Sequence, residues 1–558
     1  MIKFLTAITP EVARVSAFSP LEDRNTAYAH IRKEIEGLEA AIRALKRHHN
    51  NLSSISKLPA EVLTRIFELL AFSKDNAAEP KPHWIGISHV CSQWRHIALE
   101  CPTLWNHIQC SHHLRWVIEM LKRSKWPPIT AEGRTSCGAP AVDGAIIATL
   151  EQLPRIEHLT LTLRGWPKLK KIMSSLSGAA PLLHTFHITL DDSQAMLPDT
   201  IFSGPGGAPQ LRCLLLDGCT VNWTSKFLHS LTHFTLIKAP TGCRLSVNEL
   251  ITNLGNMPQL ESIHLSSVMV QPGDSELNAS SSPSTLLPFI ARIHLEDNLM
   301  NCLAFFAKVT YPNTAIVSVM CFLLTSYTNV VTHIRDFITV INVKNIVPIT
   351  SLYVSHGTFL GQDSQGIRRV FVGFQGIPCL RISWDALPLH HLKFLCVSGI
   401  KILRSEWLSV FGKLNKLKII RITDHANEFL DVLSRRIPRD LGPGLSHATE
   451  TSSPGKLKFK ALKSLSLRST LGNHYGEHPW PEKLALCFRE RRRRGLTLRR
   501  LSIEGYGGGT DVVCRLGSFI KHVEWTEVYE ETSVQDYGSF DEYMAQEEED
   551  LSFDPHYW

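Results

Sequence analysis

The sequence predicts an α/β chain: an N-terminal segment built of helices alone, followed by a solenoid of short parallel strands and helices. Three observations predict it. Before residue 125 the apolar residues recur at helical spacing. After residue 150 an apolar pattern at positions 1, 4 and 6 returns at intervals that include 27, 28, 29 and 30 residues. Between those copies the spacing becomes helical again. Of 558 residues, 44% are hydrophobic and 20% charged. Such values exclude collagen, a small disulfide scaffold and a fully disordered chain.

The elements follow in order. Residues 1–24 read as a weakly ordered start, and residues 25–52 as one charged helix. Ile31, Ile35, Leu38, Ile42 and Leu45 recur at steps of four, three, four and three, a heptad-like seam. Under four heptads long, it either pairs with a second copy or lies on the next domain. Residues 53–125 then carry two more helices. Pro59 opens the first, where a missing N–H costs nothing, and Glu61 complements the helix dipole. Leu63, Ile66, Phe67 and Leu70 form one stripe at i, i+3, i+4, i+7. A polar loop, Ser73 to Pro82, leads to a second helix through Val90, Trp94 and Ile97, which stops before Pro102.

Leu58-Pro59-x-Glu61-x-Leu63-x-x-Ile66-Phe67, Val90-Cys91-x-x-Trp94-Arg95 and Pro102-x-Leu104-Trp105 stand in that order. Together they resemble an F-box, of the F-box-like kind numerous in mushroom-forming fungi. The loop over 71–84 is longer than in a compact F-box. The resemblance implies docking on the Skp adaptor, with Leu58, Pro59, Leu63, Ile66, Phe67, Val90, Cys91 and Trp94 contacting the adaptor or supporting the contact. A small helical hairpin with its own core is the plainer reading of the same stripes.

The 1-4-6 copies begin at Ile156, Leu183, Leu211, Leu231, Leu260, Ile290, Ile349, Leu392, Leu417, Leu462 and Leu498, with weaker ones at Ile316–Cys321 and near Ile377–Ile382. Alternation at the end of each suits a short strand. Leu169, Ile172, Met173, Leu176 and Val247, Leu250, Ile251, Leu254 are helical stripes between them. Pro154, Pro181, Pro209, Pro258 and Pro288 lie two residues before position 1, where proline ends the helix. One such unit cannot bury its apolar face alone, but stacked units share a core. A strand–helix unit with Leu-x-x-Leu-x-Leu resembles a leucine-rich repeat, with Cys219 and Asn298 where that family places Asn or Cys. The fold class is therefore α/β: an N-terminal all-α F-box-like helical domain followed by a leucine-rich-repeat-like solenoid over 126–523. The period is least regular between Tyr311 and Ser398. Residues 273–284 and 441–455 are Gly/Ser/Pro-rich insertions.

Charge is uneven. Residues 524–558 hold 12 Asp and Glu and no Lys or Arg, so residues 1–523 carry a net +19. The acidic aromatic tail over 524–558 reads as disordered beyond Val534. It folds back on the basic body, binds a partner, or only solubilises. Arg489-Glu-Arg491-Arg492-Arg493-Arg494 is the densest basic run, either a nuclear signal or phosphate contact or, more plainly, a solvated helix face.

Thirteen scattered cysteines without Cys-x-x-Cys read as free thiols packed as small hydrophobes, in a reducing compartment. The most apolar run, Ala315 to Leu324, is too short for a bilayer. A cytoplasmic or nuclear protein without membrane contact is expected. The pairs His48-His49, His112-His113 and His390-His391 chelate poorly, since neighbours on a helix point ~100° apart. Cys110 with His112 and His113 offers two ligands at best, so no metal and no cofactor is expected. Gly505-Tyr-Gly507-Gly508-Gly509-Thr510 lacks the Lys of a phosphate loop and reads as a strand-to-helix connection. No catalytic constellation is present in the sequence, so an enzyme is not expected. By its resemblance the chain is the substrate-recognition subunit of an SCF-type cullin–RING ubiquitin ligase, holding a target protein on its repeats. The alternative is a scaffold with no ubiquitin role, binding protein or, less in keeping with its scattered basic residues, nucleic acid.

Overall fold

The computed structural model describes residues 19–71, 83–135, 140–164, 166–191, 195–270, 285–322, 330–344, 347–375, 384, 387, 389–434, 458–469, 480–505 and 509–526. The chain divides into two compact units, Met1–Glu157 and His158–Trp558. The polar loop over 73–82, the weak copy near 377–382, both insertions and the tail beyond 526 lie outside the described residues. Among the described residues no helix is long and apolar enough to cross a membrane.

The first unit opens with α1 (Leu21–Asn51), which carries Glu22 and Asp23 in its first turn and His48 and His49 in its last, each matched to the helix dipole. The seam of Ile31, Ile35, Leu38, Ile42 and Leu45 is exposed along its whole length. The arrangement in which it lies on the next domain is therefore not adopted. A second helix, α2 (Ala60–Ala71), starts after Pro59, whose carbonyl accepts from the Leu63 N–H. A 3-10 turn, His83–His89, leads to α3 (Ser92–Glu100). Val90 falls in the turn before α3, not inside a helix as its spacing suggested. The reason is Cys91, which caps α3 and so fixes its start; its Sγ accepts from the Trp94 N–H.

The rest of this unit is mixed, with β1 (His107–Gln109), α4 (Leu114–Arg123), β2 (Ile129–Arg134) and α5 (Pro140–Leu150). The two strands pair in parallel, Ile108 against Ala131. Neither is a 1-4-6 copy, so periodicity could not reveal them.

In the second unit every strong copy is a strand. In chain order they are β3 (Ile156–Arg164, which spans the boundary), β4 (Thr185–Asp191), β5 (Cys213–Asp217), β6 (His233–Ile237), β7 (Ser262–Ser266) and β8 (Arg292–Asn298). The weak copy at Ile316 is also a strand, β9 (Ile316–Phe322). These pair in parallel, with position 4 in register from Leu159 through Phe186, Leu214, Phe234 and Ile263 to Ile293; Ile293 then meets Val317, so the weak copy stands two residues earlier than its reading from Ile316, with Val317 and not Val319 at position 4. All seven side chains are buried.

The irregular period after Tyr311 has a structural cause. β10 (Ser351–Ser355), β11 (Thr358–Gln362) and β12 (Arg368–Gln375) form an antiparallel meander inserted into the parallel ladder. β12 lies parallel to β9, and β10 lies parallel to β13 (Phe394–Ser398). The ladder then resumes through β14 (Ile419–Thr423), β15 (Ser464–Arg468), β16 (Arg500–Glu504) and β17 (His522–Thr526), again with position 4 in register. The last strand is a copy not anticipated from sequence: Ile520, Val523 and Trp525 keep the 1-4-6 spacing. The chain is thus an α/β fold, N-terminal helices followed by a large parallel-strand sheet with helices.

A backbone signature accompanies the side-chain one. The residue at position 8 has positive φ in six copies: Gly218, Lys238, Ser267, Gly399, Asp424 and Gly505. Each donates its N–H to the carbonyl at position 7 of the following strand, as Gly218 does to Ile237 and Ser267 to Glu296. The kink turns the chain off the sheet while keeping that donor paired. A β-carbon on Gly218 would lie 2.4 Å from the Leu190 carbonyl oxygen, at φ +70. Gly218→Ala is therefore expected to destabilise the chain by about 2 kcal/mol, read as a lowered midpoint in thermal unfolding.

The predicted helical stripes hold at every position but Leu169, whose side chain lies outside the described residues. Ile172, Met173 and Leu176 are buried on and just after α6 (Trp166–Ser175). Val247, Leu250, Ile251 and Leu254 are buried on α7 (Val247–Gly255). Ser246 and Glu249 form a reciprocal capping box at the start of α7. Ser246→Ala should cost about 1 kcal/mol, measurable as a shifted urea midpoint. Cys219 and Asn298 do bond near their loops: Cys219 Sγ approaches the Ile188 carbonyl, and Asn298 caps α8 (Leu299–Lys308) by accepting from Asn301 N–H.

Candidate functional site

The sequence resemblance singled out eight residues around α2 and α3, and the structure sorts them into three groups. Leu63 and Phe67 are fully buried, with the Phe67 ring 5.1 Å from that of Trp94. They build the core of the helical segment and cannot touch another molecule while it is folded. Leu58, Cys91 and Trp94 are half-buried. Pro59, Ile66 and Val90 are exposed, Val90 at 58%.

The expected single stripe is thus two adjacent faces of one helix. Leu63 and Phe67 turn inward, while Ile66 and Leu70 turn out. Val62 and Leu69 join the outward face, with spacing i, i+4, i+7, i+8 over Val62, Ile66, Leu69 and Leu70. Sequence reading missed Val62 and Leu69. The available signal was an excess of apolar residues: six of twelve on α2 are large and apolar, more than one inward face needs. A water-facing apolar helix side of this kind is a candidate interaction surface.

Behind this face the scaffold is rigid. Thr103 donates to the Glu68 carboxylate at 2.7 Å, tying α2 to the Pro102–Trp105 turn. Trp105 Nε1 donates to the Ala98 carbonyl, its ring lies 4.9 Å from that of Trp84, and the Arg123 guanidinium covers it at 4.6 Å. The motif residues Leu104 and Trp105 are buried. They serve the framework that presents α2.

Other sequence candidates resolve in place. His113 caps α4 by accepting from Arg115 N–H, and Cys110 is buried against Thr149, its thiol pushed up to about 11 by burial. His48, His49, His390 and His391 are exposed. The basic run lies on α12, counting α9 (Val330–Lys344), α10 (Arg404–Ser409) and α11 (Asn427–Ser434) before it; α12 spans Trp480–Arg493. Arg489, Arg492, Arg493 and Arg494 are exposed as a solvated face would be. Arg491 is not: it is 2% exposed and donates to the carbonyls of Lys458 and Phe459. β16 is followed by α13 (Gly509–Gly517), and residues 506–508 between them lie outside the described residues. Among the described residues seven of eleven cysteines are buried, three are half-buried and Cys514 is exposed, and all eleven are free thiols.

Residues 55–111 match the F-box-like family, so this stretch is an F-box-like domain. No curated protein matches the chain. Among solved structures, the crystal structure of the Rad7 and Elc1 complex in yeast is similar at 12% identity, covering 68% of this chain and 92% of that one, with a TM-score of 0.26.

Proposed function

We propose that the chain is the substrate-recognition subunit of an SCF-type cullin–RING ubiquitin ligase, docked on the Skp adaptor through its F-box-like domain. The observation that carries this reading is the coincidence of the family match over 55–111 with an outward apolar face on α2. Ile66, Leu70 and Val90, with Val62 and Leu69, would be covered by the adaptor. Pro59 and the half-buried Leu58, Cys91 and Trp94 would border the contact, and Leu63 and Phe67 would support it from within. The strand ladder, a leucine-rich-repeat-like array, would hold a target protein. The chain itself would break no bond. Its contribution would be proximity, raising the effective concentration of the target's lysines at the conjugating enzyme.

Hydrogen exchange on the full chain, with and without purified Skp adaptor, tests the placement. Slowed exchange confined to residues 58–71 and 90–94 is the expected footprint. A footprint confined to the strand ladder would make the adaptor a cargo and overturn the reading in favour of a scaffold.

A further inference from the structure

In β7 and β8 the side chains at position 5 are both histidines, and register sets them side by side: His264 against His294. Position 7 pairs Ser266 with Glu296 in the same way. Alternation along a strand puts all four on the face opposite the buried Ile263, Leu265, Ile293 and Leu295. The imidazole rings are 4.2 Å apart and nearly perpendicular. His294 Nε2 lies 3.1 Å from Glu296 Oε1, and one nitrogen of each histidine and one Glu296 oxygen all fall within 4.8 Å of one another. Ser266 Oγ donates to the other Glu296 oxygen at 2.7 Å.

We propose that His264, His294 and Glu296 form a binding site for a divalent transition-metal ion, zinc first among them. Ligand atoms ~2.1 Å from a tetrahedral ion stand ~3.4 Å apart, so closing this site needs side-chain shifts of about 1 Å and no backbone movement. Two imidazoles and one carboxylate suit zinc, cobalt or non-haem iron, and leave at least one position open. Magnesium and calcium prefer oxygen alone.

The surroundings resemble an outer shell awaiting a charge. Ser266 orients the carboxylate. His294 Nδ1 is buried without a hydrogen-bond partner, and so is Oγ of Ser318, the residue paired with His294 on β9. When the metal takes Nε2, the ring proton moves to Nδ1, and Ser318 is the neighbour placed to accept it. None of this depends on the adaptor reading.

Cobalt(II) is the probe, titrated into the full chain after native alkylation of accessible thiols such as Cys514. The expected result is a visible d–d band that saturates at one equivalent and is displaced by zinc. Glu296→Gln and His264→Gln, each verified as folded by circular dichroism, should weaken cobalt binding at least tenfold. Ser318→Ala should weaken it less, and His391→Gln not at all. No band up to about 1 mM cobalt, or an undiminished band in both Glu296→Gln and His264→Gln, would overturn the proposal. Two ligand variants on different strands keep the test decisive if one fails to fold.

Discussion

Ile66→Asp combined with Leu70→Asp is expected to abolish adaptor capture by the full chain while leaving it folded. Both side chains point outward from α2, at 37% and 46% exposure, so neither carboxylate is forced into the interior. Exposed substitutions of this kind usually change stability by less than about 1 kcal/mol. In the proposed complex, however, each carboxylate would sit unpaired in an apolar contact, at a cost of several kcal/mol. The expected reading is a loss of affinity of more than about 100-fold with an unchanged thermal midpoint. Leu63→Ala, one turn away on the inward face, should behave in the opposite manner. It empties a fully buried position and should destabilise the chain by about 2–5 kcal/mol, with any loss of binding following from unfolding. Wild-type affinity in the double Asp variant would place the docking face elsewhere.

The second large effect is expected at Arg491. Its guanidinium forks onto the carbonyls of Lys458 and Phe459 from inside the protein, and burial pulls its pKa down. Those carbonyls precede β15, next to a cluster in which the rings of Trp407, Phe429 and Phe459 lie 4.8 to 6.2 Å apart. Arg491→Ala would leave the buried Phe459 carbonyl and the part-buried Lys458 carbonyl unsatisfied and open a cavity beside that cluster. A loss of about 3 kcal/mol or more is expected, seen as a fall of several degrees in the unfolding midpoint. Arg491→Lys should recover only part of it, because an ammonium cannot reproduce the planar fork. Arg493→Ala, exposed in the same run, should change nothing measurable.

These two cases show where sequence is legible and where it stops. Positions 1, 4 and 6 announce the strands because a parallel ladder must bury the same positions in every copy, and Leu159 through Ile293 do so without a break. Position 8 is less visible, since Lys238, Ser267 and Asp424 fill a left-handed conformation that sequence associates with glycine. The meander over 351–375 hid because it keeps the alternation of a strand while reversing direction. Helical spacing placed Leu63, Ile66, Phe67 and Leu70 on one side of α2, but it could not say that two face the core and two face outward. Arg491 read as one more surface charge because composition says nothing about which member of a basic run turns inward. The His264–His294–Glu296 group was invisible for a different reason. Its members come from two repeats 30 residues apart, and only strand register brings them together.

Calorimetric titration of purified Skp adaptor into the full chain tests the central claim most directly. The account predicts a one-to-one complex with a dissociation constant at or below about 1 μM. No binding at about 50 μM adaptor, by a chain that melts cooperatively and shows its helix and strand signals, would contradict it.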